Sequence, residues 1–276
     1  MFRRQFPFPL GVAYPRRMRT SAPSPQRSLR RRRARVMLAV SVAVAAVAGA
    51  ALLRPWASPA TPETVVAAGS GAVAVATTPD LLDLPEHPTV LIFGDSWTYG
   101  SAASDPTLGY AYVVAGMTGW TTIVDGVRGS GYLKPGLDGP DFGTRIAALD
   151  PQLQPDLVIV QGSINDRREP AAGYRAAVDA AWDALAATYP HAQIVILGPA
   201  PQVIPVEAAT ARIDRDLAGA AAARGWWYLS PLGEHWITPA NYADVIDTGL
   251  GRDHPSTAGH RYLAERLAAA VEAIMR

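Results

Sequence analysis

Short apolar runs alternate with amphipathic stretches along residues 81–276. The runs are four or five residues long and rich in apolar and β-branched residues, which is typical of strands buried in a parallel sheet. In the stretches between them, apolar residues recur every three or four positions, which predicts helices packed on that sheet. We therefore predict a three-layer α/β/α sandwich with a central parallel sheet. The predicted strands are 89–93, 121–124, 157–160, 193–197 and 226–229, and the predicted helices are 110–117, one from Pro170, 207–224 and one after Pro255.

The first 80 residues follow a different pattern. Residues 1–35 contain eleven Arg and no acidic residue, and residues 36–53 contain no charged residue at all. As a helix the uncharged span would be about 27 Å long, close to the thickness of a bilayer core. An Arg-rich flank stays in the cytoplasm and directs the following chain outward. We therefore predict a cytoplasmic segment (1–35), a transmembrane signal anchor or the core of a cleaved signal peptide (36–53), a flexible linker (54–80) and an extracellular domain (81–276).

The charge and the composition exclude several classes of partner. Removing the eleven Arg of residues 1–35 from the formal net charge of +1 leaves −10 for the rest of the chain. Such a basic arm could bind nucleic acid, but the apolar span that follows it favours a position at a membrane, and we predict no nucleic-acid partner. The chain has no Cys, which rules out disulfides and thiolate metal sites. No other residues have metal-ligand spacing, so we predict no metal, and the sequence contains no phosphate-binding loop.

Polar residues collect where three of the predicted strands end. Gly94-Asp95-Ser96 follows the first strand, a Gly-rich loop at 126–131 follows the second, and residues 162–166 follow the third. In open α/β sheets this edge is where ligands bind. A Ser hydroxyl there is a candidate nucleophile if an imidazole takes its proton, and His254 is the candidate base. Taken singly, each segment could be an ordinary turn or helix cap, but their joint occurrence favours acyl transfer.

These segments resemble the sequence blocks of the SGNH (GDSL-type) hydrolase family. Residues 94–100 match the pattern G-D-S-x-[ST]-x-G, and residues 254–260 match H-P-x-x-x-G-H. Residues 126–129 resemble the glycine block, and residues 162–166 resemble G-x-N-D with one extra residue. The resemblance spans residues 89–270 and implies the flavodoxin-like SGNH fold, in a membrane-anchored or secreted bacterial member of the family.

The resemblance also implies a serine esterase that works without a cofactor. Ser96 would be the nucleophile, and His254 would act as general base and then as general acid. The backbone N–H groups of Ser96 and Gly129, with the side-chain amide of Asn165, would form the oxyanion hole. Gly131 is a second candidate for the glycine donor, although Gly129 fits the family register better. We expect a monomer that hydrolyses small-molecule or carbohydrate esters with short acyl groups, such as O-acetyl groups.

One position departs from the family pattern. Family members usually carry Asp three residues before the catalytic His, and here that residue is Gly251. A base needs its other ring nitrogen hydrogen-bonded, so that the correct tautomer faces the serine. Asp247, Asp253 or a backbone carbonyl could serve, and we favour Asp247 because the flexible segment after it could fold it onto the ring.

Two other functions remain open. The same machinery could belong to a lysophospholipase or thioesterase. The missing Asp also leaves room for a catalytically silent module that binds cell-wall glycan. A further residue, His235, lies in a Trp-rich loop and either lines the pocket or packs.

Overall fold

The computed structural model describes residues 78–276. The predicted cytoplasmic segment, the membrane span and all but the last residues of the linker lie outside this range, so the predicted domain boundaries stay predictions. No helix within residues 78–276 is long and apolar enough to span a bilayer.

Five parallel strands form the central sheet, in the order β2-β1-β3-β4-β5. The predicted parallel sheet is therefore confirmed, and each strand lies within one or two residues of its predicted position. A separate antiparallel pair joins β6 and β7 beside the sheet's carboxyl edge. The strands are β1 (Thr89–Gly94), β2 (Thr121–Gly126), β3 (Leu157–Gln161), β4 (Gln193–Leu197), β5 (Trp227–Leu229), β6 (Ile246–Asp247) and β7 (His254–Pro255).

Helices cover both faces of the sheet. Three short 3-10 helices, Pro106–Leu108, Pro151–Leu153 and Ile164–Arg168, lie in the connections. The α-helices are α1 (Ser96–Tyr99), α2 (Tyr110–Val113), α3 (Ala115–Thr118), α4 (Phe142–Ala147), α5 (Tyr174–Thr188), α6 (Ala208–Ala222), α7 (Tyr242–Val245) and α8 (Thr257–Glu272).

The hydrophobic core consists of two clusters, one on each face of the sheet, because successive side chains of a strand point to opposite faces. Val90 and Ile92 of β1 face one layer, together with apolar side chains of α2 and α8. Leu91 and Phe93 face the other layer, which contains apolar side chains of α4, α5 and α6. Successive side chains of a strand point to opposite faces, so a wholly apolar run such as β1 is buried on both. This gives the predicted three layers.

Two predicted helices differ in detail from those observed. The helix predicted at 110–117 is divided between α2 and α3, although Val114 between them keeps helical dihedral angles (φ −60°, ψ −32°). The helix predicted from Pro170 begins only at Tyr174. Gly173 precedes it with φ +84°, a left-handed conformation that a right-handed helix does not contain.

The strand order places the carboxyl ends of β1 and β3 at a topological switch point. The chain moves from β1 outward to β2, then returns across β1 to β3 and continues in the opposite direction. In sheets of this order, ligands bind in the crevice that opens where the direction reverses. Ser96 follows β1, and Asn165 follows β3, so both candidate residues lie at this crevice.

Candidate active site

Ser96 is the first residue of α1, directly after β1. The preceding Asp95 caps this helix, because its Oδ1 accepts a hydrogen bond of 2.9 Å from the Trp97 amide. The Asp95 amide in turn donates to Gln161 Oε1 over 3.3 Å. Ser96 is only 6% exposed, and it lines an open cleft of about 650 Å³. The turn therefore presents the Ser96 side chain to the cleft from a fixed backbone.

His254 faces Ser96 across the cleft. Its Nε2 lies 2.8 Å from Ser96 Oγ, which is hydrogen-bonding distance. His254 begins β7, whose pairing with β6 fixes its backbone, since Asp247 stands opposite it. The structure thus brings together two residues that are 158 positions apart in the sequence.

The other ring nitrogen of His254 contacts two backbone carbonyls. Nδ1 lies 2.9 Å from the Gly251 oxygen and 3.0 Å from the Arg252 oxygen. Carbonyl oxygens only accept hydrogen bonds, so Nδ1 must carry the proton. In the neutral imidazole Nε2 is then unprotonated and can accept the Ser96 hydroxyl proton. The carbonyls therefore select the tautomer that a general base requires.

Asp247 does not fill the role that we predicted for it. Its Oδ1 accepts a hydrogen bond of 2.8 Å from the Gly249 amide rather than from His254. Position 251 has no room for a carboxylate either, because a Cβ there would lie 2.6 Å from Asp247 Cβ and 2.8 Å from Ala102 Cβ. Asp253 is also not the partner: His254 Nδ1 is bonded to carbonyls instead. The alternative with a carbonyl-supported His is the one that the geometry matches.

We expect Asp247→Asn and Asp253→Asn each to lower kcat by less than about tenfold. A carboxylate that orients the catalytic His contributes about 10⁴ to kcat, and neither side chain makes that contact here. Both variants are assayed on one aryl ester, with their thermal unfolding measured alongside. A loss of about 10⁴ in either folded variant would show that its carboxylate reaches His254 during turnover.

Gly129 and Asn165 line the same cleft as Ser96 and His254. Within residues 78–276 the Gly129 amide makes no hydrogen bond, so it is free to bind a substrate oxygen. The Gly131 amide donates to the Lys134 oxygen over 2.9 Å. This occupied amide makes Gly131 the weaker of the two candidate donors, and the structure favours Gly129.

The Asn165 amide group makes two contacts. Its Nδ2 donates to the Ser130 oxygen over 3.0 Å and to Asp95 Oδ2 over 3.3 Å. A substrate oxyanion could replace the longer of these contacts. Burial raises the pKa of the Asp95 carboxyl to about 7, and a neutral carboxyl is a weaker acceptor than a carboxylate. When Asp95 is protonated, exchanging this contact for one with an oxyanion therefore costs less than it would with a carboxylate.

The buried Asp95 carboxyl also affects stability. Its pKa is higher in the folded protein than the value of 3.8 expected for an unperturbed Asp, chiefly because of burial. The folded state therefore binds this proton more tightly than the unfolded chain does. As the pH rises from about 4 to about 7, the contribution of Asp95 to the free energy of unfolding becomes unfavourable. An ionisable group thus costs stability beside the candidate nucleophile, Ser96.

His260, the last residue of the H-P-x-x-x-G-H segment, has a structural position. Its Nδ1 accepts from the Tyr110 amide over 3.2 Å, and its Nε2 lies 3.0 Å from the Ser101 oxygen. Burial is the main cause that lowers its pKa to about 4, so it stays neutral at physiological pH. It fixes the loop after α1. His235, by contrast, is exposed and outside the cleft, so it neither packs nor lines the pocket.

Several residues that support the site were not found from the sequence. Arg145 is buried and ties together the ends of β1 and β2: it donates to the Gly94 oxygen over 2.9 Å and to the Asp125 oxygen and carboxylate over 2.7 Å. Gln161 accepts from Asp95 and from the Thr98 hydroxyl. Of these residues, only Gln161 could have been noticed in the sequence, because it is a polar residue at the end of an apolar run. Arg145 lies on a helix with no distinguishing pattern.

Comparison with known proteins gives relatives that share this fold. GDSL lipase Rv0518 of Mycobacterium tuberculosis (strain ATCC 25618 / H37Rv) is 29% identical over 211 residues, which cover 69% of this chain and 84% of that protein. A family two carbohydrate esterase from Clostridium thermocellum, solved in complex with cellohexaose, has a TM-score of 0.53 at 18% identity, covering 70% of this chain and 67% of its own. The native M. smegmatis aryl esterase has a TM-score of 0.50 at 19% identity, and the match covers 68% of this chain and 100% of that chain.

A family model gives the most direct assignment. The model of the GDSL-like Lipase/Acylhydrolase family matches residues 92–262, which is more than half of the chain and includes every candidate site residue. The solved structures, at identities below 25%, show the fold alone. On the family match, the chain belongs to the GDSL-like lipase/acylhydrolase family and is an SGNH-type ester hydrolase.

Proposed function

We propose that this protein is an extracytoplasmic serine esterase that hydrolyses carboxylic esters with short acyl groups through Ser96 and His254. The observation that carries the proposal is the 2.8 Å contact between Ser96 Oγ and His254 Nε2 in an open cleft. The free Gly129 amide and the Asn165 amide line that cleft, where a carbonyl oxygen would lie. Nucleophile, base and oxyanion donors are the parts that acyl transfer requires.

In the first half of the reaction the acyl group moves to the enzyme. Ser96 Oγ attacks the ester carbonyl carbon while its proton passes to His254 Nε2. The carbonyl oxygen becomes an oxyanion, held by the amides of Ser96 and Gly129 and by Asn165. The tetrahedral intermediate collapses when His254 gives its proton to the leaving alkoxide. The alcohol departs and an ester of Ser96 remains.

In the second half water releases the acid. His254 takes a proton from a water molecule, whose oxygen attacks the acyl carbon. The bond to Ser96 Oγ then breaks, and His254 returns the proton to the serine. Throughout, the Gly251 and Arg252 carbonyls stabilise the imidazolium that forms. Carbonyl dipoles do this less strongly than the carboxylate of a triad.

The proposal of short acyl groups rests on the shape of the site. The cleft is open, and its lining mixes apolar groups with polar side chains such as Asn165 and Gln202. Such a surface suits a small acyl group on a hydrophilic alcohol. A carbohydrate esterase with this fold supports carbohydrate esters as candidate substrates. Among these we propose O-acetyl esters, because the acetyl group is small.

One observation favours a second candidate, a lysophospholipase-like or thioesterase activity on longer acyl chains. Leu137 and Leu250 line the mouth of the cleft and are 82% and 100% exposed. Exposed leucines of this kind could contact an acyl chain. A catalytically silent glycan-binding module, by contrast, has no use for the Ser96–His254 contact, and nothing in the site favours it.

A panel of p-nitrophenyl esters from acetyl to palmitoyl tests this proposal. We expect kcat/KM to be highest for acetyl to butyryl and to fall with longer chains, because the cleft offers little enclosed apolar surface. The Ser96→Ala variant of the same protein is the control for background hydrolysis. A maximum at decanoyl or beyond would replace the short-chain assignment with the second candidate.

The extracytoplasmic location rests on the order of residues 1–35 and 36–53 in the sequence. We expect the native protein to keep its amino terminus and to fractionate with membranes, its carboxyl-terminal domain accessible to protease from outside. Mass spectrometry of the native amino terminus measures this. A mature protein that begins near Thr61 would indicate a secreted enzyme instead.

A further inference from the structure

The lining of the catalytic cleft contains basic residues and no acidic residue. Residues 78–276 carry thirteen basic and twenty-three acidic side chains, a formal net charge of −10. Even so, none of the acidic side chains lines the cleft, whereas five of the thirteen basic ones do. They come from the segments that follow β2, β3 and β6, and they are Arg128, Lys134, Arg167, Arg168 and Arg252.

Two of these side chains form ion pairs with acidic residues that do not line the cleft. Arg128 binds Asp138 through two nitrogens, at 2.6 and 2.8 Å. Arg167 contacts Glu207 over 2.8 Å and also donates to Gln202 over 2.7 Å. These pairs fix the two guanidinium groups at the cleft and compensate part of their charge.

The other three make no ion pair within the described part of the chain. Lys134 is half-buried and is the only Lys of the protein. Arg168 and Arg252 are exposed, and their acidic sequence neighbours, Glu169 and Asp253, do not line the cleft. Arg252 also supplies one of the carbonyls that contact His254. Three positive charges in the cleft lining are therefore not compensated by an ion pair within residues 78–276.

We infer that the cleft selects soluble esters that carry an anionic group, a carboxylate or a phosphate, close to the scissile bond. This inference rests on the proposed esterase function and narrows its substrate class. A cleft lined by one sign of charge concentrates ligands of the opposite sign and speeds their association by about 10–10³-fold. Guanidinium groups also match the oxygens of carboxylate and phosphate. Neutral esters receive neither benefit.

Two matched pairs of esters test the inference on the full-length protein. The first pair places the charge in the acyl part: mono-p-nitrophenyl adipate against its methyl ester. The second pair places it in the alcohol part: 4-acetoxybenzoate against 4-acetoxybenzamide. Each kcat/KM is divided by the rate constant for alkaline hydrolysis of the same ester, which removes differences in intrinsic reactivity. We expect a preference of about tenfold or more for the anionic member of at least one pair at low ionic strength.

Charge-removing variants show whether the cleft causes this preference. In the double variant Lys134→Gln, Arg252→Gln we expect the ratio of anionic to neutral kcat/KM to fall by at least about threefold. The matched control is Arg215→Gln, which removes one charge from the exposed face of α6, away from the cleft. It should keep the wild-type ratio. Raising the salt to 0.5 M should also reduce the preference, because salt screens charges at the surface.

Equal normalised kcat/KM within both pairs would overturn the inference and leave the proposed esterase intact. A preference for the anionic ester that stays unchanged in the double variant and at 0.5 M salt would also overturn the inference. If none of the four esters is hydrolysed, the proposed function itself fails, and the inference fails with it.

Discussion

Ser96→Ala should lower kcat by about 10⁶ on any ester that the wild-type protein hydrolyses, which is the size of the loss when a catalytic serine is removed from a hydrolase. In the proposed mechanism the Ser96 hydroxyl forms the covalent bond, and in the structure its Oγ contacts His254 Nε2. Steady-state kinetics on a p-nitrophenyl ester measure this loss. Residual turnover should come only from the oxyanion donors and from binding.

Ser101→Ala is the matched control for this prediction. Ser101 lines the same cleft, and its buried Oγ has no hydrogen-bond partner within residues 78–276. Removing that oxygen breaks no hydrogen bond among the described residues, so the fold and the cleft should stay intact. We therefore expect kcat within about threefold of the wild-type value. If Ser96→Ala kept kcat within tenfold of wild type, another group would have to be the nucleophile.

Asn165→Ala should lower kcat by about 10²–10³, with little change in KM. Losing one oxyanion donor raises the barrier by ~2.7–4 kcal/mol, because the donor binds the transition state more strongly than the ground state. The position of Asn165 in the cleft, with one long contact to Asp95 available for exchange, supports this role. The measurement is kcat and KM on a short-chain ester.

The only other Asn of the chain provides a matched control. Asn241 lies outside the cleft and caps the turn at Thr238, whose amide donates to its Oδ1 over 2.7 Å. Asn241→Ala should lower the unfolding temperature but leave kcat near the wild-type value. A change confined to KM in Asn165→Ala would assign Asn165 to substrate binding instead.

The sheet and the Ser96–His254 pair could be predicted from the sequence for physical reasons. A strand buried on both faces must be apolar throughout, so β1, β3 and β4 stand out as short apolar runs. Ser96 follows β1 and Asn165 follows β3, and these parallel strands end at the same edge of the sheet. The two motif segments around Ser96 and His254 then identify the residues.

The group that orients His254 could not be predicted in the same way. Its partners are backbone oxygens, which every residue has, and their direction depends on dihedral angles. Arg252 and Asp253 both adopt positive φ, at +50° and +61°, and this turn aims two carbonyls at the ring. Neither residue type favours that conformation strongly enough to predict it. The sequence indicated only that Gly251 replaced the usual Asp.

The cluster of basic residues in the cleft could not be predicted from the sequence for a different reason. Its five side chains lie in three segments, separated by up to 124 positions, and each segment also contains acidic residues. Local charge counts therefore average to nearly nothing. Only the fold shows that the basic side chains line the cleft with Ser96 and that the acidic ones do not.

Covalent labelling tests the central claim most directly. The full-length protein is treated with a fluorophosphonate, which forms a stable bond only with an activated serine, and its intact mass and peptides are then measured. We predict one adduct per chain, located on Ser96, absent in Ser96→Ala and greatly slowed in His254→Ala because the base is missing. An adduct on another residue, or no adduct on a protein that hydrolyses esters, would contradict the account.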